Sequence, residues 1–139
     1  MNWEKLTIKA QEAISEAQKK AESSHHQGID NEHLLYSLVM QKDGIVRPIL
    51  DKLGANSRAV LADLEKELKN LPAVHGAEQV YITPRMKQTL DTAFIEAERL
   101  KDEYVSTEHL LIGIADAGNG ASGRILQGQG VTKDRLYSV

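Results

Sequence analysis

The sequence repeats itself. Laid over itself with an offset of 76 residues, Thr7 falls on Thr83, Ala17 on Ala93, Ala21 on Ala97 and Glu22 on Glu98 without a gap. Further along the match tightens: Ile29-Asp-Asn-Glu-His-Leu-Leu35 meets Val105-Ser-Thr-Glu-His-Leu-Leu111, and Gly44, Ile49, Leu50 and Gly54 meet Gly120, Ile125, Leu126 and Gly130. A tandem repeat of this length is one supersecondary unit used twice. Two such units bury their apolar stripes most completely by facing each other in one globule.

The units read as helical. Ala10, Ala13, Ile14, Ala17 and Ala21 keep the i, i+3, i+4, i+7, i+11 spacing of one apolar helix stripe, and Met86, Leu90, Ala93, Ala97 and Leu100 repeat it. Thr83 followed by Pro84 is an N-cap with proline at the first helical position, and Thr7 caps its twin. Asp30 or Asn31, and Ser106 or Thr107, offer side-chain oxygens ahead of the two Leu-Leu runs and start second helices. Third helices are predicted roughly over Gly44 to Leu53 and Gly120 to Gln129, stopped by Gly54 and Gly130. Asn56 and Thr132 cap a fourth pair, the first running from Ser57 to Asn70 with Glu65 and Lys69 at i, i+4.

The expected class is therefore all-α, about eight helices in two pseudo-symmetric four-helix repeats packed into one globular domain. Repeat 1 is read as 1–70, a linker as 71–82, where Pro72 and Gly76 interrupt any stripe, and repeat 2 as 83–139. By the offset Val139 corresponds to Asp63, so the last helix reads as truncated and the chain as one piece of a longer protein.

Composition narrows the chemistry. Hydrophobic residues make up 41% and aromatics only 4%, so the core must rest on close helix contacts. With no cysteine, disulfides, thiolate ligands and thiol nucleophiles are excluded. A formal charge of -3 with interspersed signs provides no basic face for phosphates, so nucleic acid is not an expected partner. Nothing approaches the ~20 apolar residues of a membrane span, and the first ten residues lack a secretory apolar core, so a cytoplasmic protein is expected, without membrane contact.

The paired Glu-His-Leu-Leu motifs, Leu71-Pro-x-Val74 and Tyr81-x-Thr-Pro-Arg85 resemble the N-terminal repeat domain of Clp-family unfoldases along the whole chain. The opening Trp3-Glu-Lys-Leu-Thr-x-Lys-Ala10 and the Leu-Pro-x-Val-x-Gly linker are more similar to the ClpB disaggregase branch than to the ClpC or ClpA regulators of a protease. The resemblance implies a non-catalytic module that contacts unfolded or aggregated polypeptide for a hexameric ATP-driven motor. It implies Thr7, Leu90, Asp102, Glu108 and Leu110 as substrate-contact positions, an apolar strip rimmed by carboxylates. The alternative is an adaptor-docking domain of a ClpC/ClpA-type regulatory subunit, and the resemblance also implies adaptors or a co-chaperone system as further partners. The isolated domain is expected to be a monomer with no cofactor of its own: no Gly-x-x-x-x-Gly-Lys-Ser/Thr occurs, so ATP and magnesium belong to modules outside this chain.

Each implied residue also has a plainer role. Leu90 and Leu110 sit at helix-stripe positions that equally suit the core, Thr7 is a cap, and Asp102 and Glu108 suit solvated helix ends. Gly118-Asn-Gly-Ala-Ser-Gly123 is formally a dinucleotide fingerprint, but it follows a helical run and lacks the later acid. His25, His26, His33 and Glu32 lack the i, i+4 pair that chelates, since His25 and His26 point apart on a helix, so no metal is expected. His33 and His109, at equivalent places near helix starts, are read as holding the preceding loop by a ring hydrogen bond. Glu96 and Glu98 are read as solvated charges.

Overall fold

A computed structural model describes residues 2–76, 79–117 and 120–139. After a single 3-10 turn, Trp3–Lys5, the described residues form eight α-helices: α1 Ile8–Ser23, α2 Asn31–Met40, α3 Val46–Lys52, α4 Ser57–Lys69, α5 Pro84–Arg99, α6 Thr107–Asp116, α7 Ala121–Gly128 and α8 Lys133–Tyr137. Two short strands, β1 Gly28–Ile29 and β2 Tyr81–Ile82, complete the described elements. None of the described helices is long and apolar enough to cross a membrane.

Local chemistry sets these boundaries. The side chains of Thr7, Asn56, Thr83 and Thr132 accept from backbone N–H groups one turn into α1, α4, α5 and α8, giving partners to amides that the helix leaves free. Gly54 and Gly130 stop α3 and α7 at φ of 81° and 76°, a left-handed conformation in which a Cβ is strained. The α1 stripe is buried as its spacing predicts: Ala10, Ala13, Ile14, Ala17 and Ala21. In the first half two local expectations fail. The first helix ends at Ser23, and His25 adopts φ of 58° beyond it, so His25 and His26 lie past the helix. Glu65 turns across to Lys20 at 3.3 Å instead of along α4 to Lys69, because α1 packs within reach.

The two halves are joined reciprocally. Leu6 bridges Val105 in parallel, and Ile82 pairs with Ile29 in β1–β2, each contact being the other displaced by the 76-residue offset. The same symmetry brings the Thr7 N–H to the Val105 carbonyl at 3.0 Å and the Thr83 N–H to the Ile29 carbonyl at 3.1 Å. Each half thus fixes the start of the other's first helix. Between them α2 and α6 form the centre, with Leu34, Leu35, Leu38, Leu110, Leu111 and Ile114 fully buried.

The close contact between α5 and α6 rests on one glycine. A Cβ on Gly113 would lie 2.6 Å from the Thr89 carbonyl oxygen and 3.2 Å from its methyl. In the first half the equivalent pair is Ser37 against Ala13, where the smaller partner leaves room and the Ser37 hydroxyl donates to the Ala13 carbonyl at 2.7 Å. Gly113→Ala is therefore expected to cost about 2 kcal/mol by forcing the helices apart, measurable by urea unfolding. Combining Gly113→Ser with Thr89→Ala rebuilds the first-half pair and should recover part of that loss. The Thr89 hydroxyl is buried without a partner among the described residues, so its removal forfeits little.

Candidate functional site

A groove of about 420 Å³ opens between the halves, where α3 of the first faces α6 and α8 of the second. Its α3 wall arises because that short helix is apolar on two sides. Val46 and Leu50 point into the core, while Ile45 and Ile49, each one residue earlier, face the groove. Opposite stand the exposed Leu100 and Tyr137, with Leu111 and Ile112 buried behind them. Ile45 and Leu100 are 44% and 46% exposed, so the apolar surface is open to a partner. The Tyr137 hydroxyl donates to the buried Glu96 carboxylate, which fixes the ring at the groove edge.

Two carboxylates rim the groove. Asp102 accepts from His109 Nε2 at 2.8 Å, and Glu108 accepts from the Ser106 hydroxyl at 2.9 Å. The His109 tautomer follows from its other nitrogen. Nδ1 accepts from the Ser106 backbone N–H at 2.9 Å, so Nε2 carries the proton and donates to Asp102. The buried ring thereby ties the loop before α6 to the rim. No lysine or arginine lines the groove among the described residues.

The equivalent positions in the first half are built differently. His33 Nδ1 accepts from the Asp30 backbone N–H at 2.9 Å, matching His109, but its Nε2 meets His26 Nδ1 at 2.9 Å, because His26 stands where the second half has Asp102. Burial, and then the neighbouring His26, hold His33 down at about 4. Burial also lowers His26, against a backbone hydrogen bond at Leu68. Glu32, the twin of Glu108, is 4% exposed and accepts from Ser122 at 2.7 Å across the halves, and burial raises its pKa. One motif thus supplies a rim carboxylate in one half and an interior one in the other.

Of the five positions expected to contact substrate, the structure brings Asp102 and Glu108 to the groove. Thr7 is half-buried as the α1 cap, its backbone on Val105, beside the segment that leads to Glu108. Leu90 and Leu110, at 3% and 0% exposure, belong to the buried core beneath the groove walls. Leu100, assigned by spacing to the core stripe, caps the end of α5 and lines the groove instead. Ile45, Ile49 and Tyr137 escaped sequence reasoning. The available signal was the doubled apolar pairs Ile45-Val46 and Ile49-Leu50, more than one buried face of a seven-residue helix requires.

In the glycine motif, Gly118 and Asn119 lie outside the described residues, as do residues 77 and 78 of the linker. Gly120 is the N-cap of α7, and α6 is the preceding element. Among the described residues no group of three or more His, Asp or Glu side chains could hold a metal ion.

Comparison with known proteins agrees with this architecture. Residues 5–129 match the family model for the Clp repeat (R) N-terminal domain. The chaperone protein ClpB of Rhodopirellula baltica is 39% identical over 136 residues, and that of Bacillus anthracis 36% over 140, each alignment covering 98% of this chain. The chain spans only 15% and 16% of those relatives' lengths. In fold it is similar to the Hsp104 N-terminal domain from Candida albicans, with a TM-score of 0.83 at 16% identity over 96% of this chain and 87% of that one. It is also similar to a ClpV N-domain solved in complex with a VipB peptide, with a TM-score of 0.73 at 15% identity over 96% and 88% of the two chains.

Proposed function

This chain belongs to the Clp repeat N-terminal domain family, and from its ClpB-like sequence and the groove between its halves we propose that it is the substrate-binding module of a ClpB-type ATP-dependent disaggregase. The observation that carries the reading is an exposed apolar groove with a purely acidic rim. Exposed aliphatic side chains of an unfolded polypeptide would lose water against Ile45, Ile49 and Leu100, while Asp102 and Glu108 attract the basic residues that flank such segments. Thr7 belongs to the proposal as the cap that positions the Val105-to-Glu108 segment. Leu90 and Leu110 support the walls from beneath. The peptide-bound ClpV domain shows that a relative of this fold takes a peptide.

The module contributes contact and alignment, and the work of threading falls to ATPase modules of the parent, with ATP and magnesium held there. Hexameric assembly, cytoplasmic location and aggregated clients are part of the same proposal. NMR titration of the labelled domain with a reduced, alkylated, permanently unfolded polypeptide tests it. Shifts are expected around Ile45, Leu100, Asp102 and Glu108, with at least about tenfold weaker binding for Ile45→Asp, whose side chain is already exposed. Shifts confined to another face, or unchanged binding by that variant, would refute the groove as the client site. Docking of a folded adaptor at these residues with no response to unfolded chain would favour the ClpC/ClpA-type role.

A further inference from the structure

A second groove, of about 910 Å³, runs along the outer face of α1 from Trp3 to Ser23 and is closed on its far side by the end of α2. Among the described residues it shares no lining residue with the inter-repeat groove. Its apolar residues are open to solvent: Trp3 is 41% exposed, Met40 51% and Ile8 69%. Its shape is held in place. Gln41 donates to the Lys9 carbonyl at 2.8 Å, Lys9 Nζ to the Lys42 carbonyl at 3.0 Å, and Gln11 to the Trp3 and Leu6 carbonyls at 3.2 and 3.1 Å.

The charge of this groove is opposite to that of the chain. Four lysines, Lys9, Lys19, Lys20 and Lys42, line it against two carboxylates, Glu12 and Glu16, in a protein of net charge -3. Glu16 pairs with Lys19 at 3.4 Å and Glu65 with Lys20 at 3.3 Å, which leaves Lys9 and Lys42 with no carboxylate in ion-pair distance among the described residues. The pseudo-symmetric surface on α5 and α6 has the reverse character. Asp91 and Asp116 line it, no lysine or arginine among the described residues does, and Met40 is replaced by Asp116.

We propose that the α1 groove docks an acidic amphipathic helix of another polypeptide, distinct from the unfolded clients assigned to the inter-repeat groove. The sixteen residues of α1 give the groove a length of about 24 Å, the reach of a helix of about the same number of residues laid alongside. An apolar stripe on that helix would cover Trp3, Ile8 and Met40, and its carboxylates would meet Lys9 and Lys42. A concave floor favours a helix over a flat lipid surface, its apolar groups Trp3, Ile8 and Met40 gathered where α1 begins and α2 stops, and Glu12 and Glu16 disfavour nucleic acid.

Trp3 is the single tryptophan, so its fluorescence reports on this groove alone. The probe is a sixteen-residue helical peptide with a leucine stripe and glutamates elsewhere, compared with its lysine counterpart. Saturable blue-shifted Trp3 emission is expected with the acidic peptide only, weakened at least about tenfold by Lys9→Glu with Lys42→Glu and by added salt. Ile8→Glu, at a site too exposed to matter for folding, should weaken it comparably, whereas Leu100→Ala should leave it intact. Equal binding of both peptides, or insensitivity to both lysine and Ile8 variants, would overturn the proposal. So would a Trp3 shift traced to self-association in sedimentation, or obtained with anionic phosphatidylserine vesicles and not with the peptide. Failure of the inter-repeat reading would appear separately, as loss of response to unfolded polypeptide at Leu100 and Asp102.

Discussion

Leu110→Ala is expected to lower stability by about 3 kcal/mol, while Leu100→Ala costs less than about 0.5 kcal/mol and instead weakens binding of unfolded polypeptide. The asymmetry follows from placement. Leu110 is 0% exposed at the centre of the molecule, so truncation removes apolar contact and leaves a cavity that the surrounding helices close only in part. Leu100 is 46% exposed at the end of α5, where solvent fills the space at once, but it forms a wall of the groove. Urea unfolding with the midpoint and slope both fitted gives the stabilities, and the NMR titration gives the binding. If Leu110→Ala retains wild-type stability and loses binding, Leu110 belongs to the groove and not to the core.

Acidification should destabilise the fold by about 3 kcal/mol between pH 6.5 and about 4, through His33. The unfolded chain takes up a proton on this histidine near 6.5, whereas the native ring resists protonation until about 4, because it is buried and faces His26. The unfolded state therefore binds more protons throughout that interval, and stability falls as pH falls. Hydrogen bonding points the same way. His33 Nδ1 must stay an acceptor for the Asp30 N–H, and a proton on His26 Nδ1 would set it against the His33 Nε2 proton. Asp30 favours the charged ring and Lys20 opposes it, both more weakly than burial acts. His33→Asn preserves an acceptor for Asp30 and removes the titration, so urea midpoints measured from pH 7 to 4 should flatten in that variant. An undiminished slope would place the acid sensitivity elsewhere.

Much of the helical framework was legible because it depends on neighbours in sequence. Thr7, Thr83, Asn56 and Thr132 act within one turn of themselves, and a stripe such as Ala10 to Ala21 declares its buried side by period alone. The 76-residue repeat also made a two-fold relation legible, and the reciprocal Leu6–Val105 and Ile82–Ile29 pairings have that symmetry. The sharing of roles among leucines was not legible. Leu90 and Leu100 fall on one periodic stripe, yet one is interior and the other lines a groove, since period says which way a residue points and not whether another element covers it.

By itself the sequence determined the helical class, the caps and stops of the helices, the family, and the absence of thiol chemistry, all properties carried by local spacing or by residue identity. Only the tertiary structure decided where the repeat is broken. The same Glu-His-Leu-Leu motif buries Glu32 against Ser122 in one half and leaves Glu108 on an open rim in the other. That difference arises because equivalent helices meet different partners across the interface, and the pairing of surfaces distant in sequence is settled by packing.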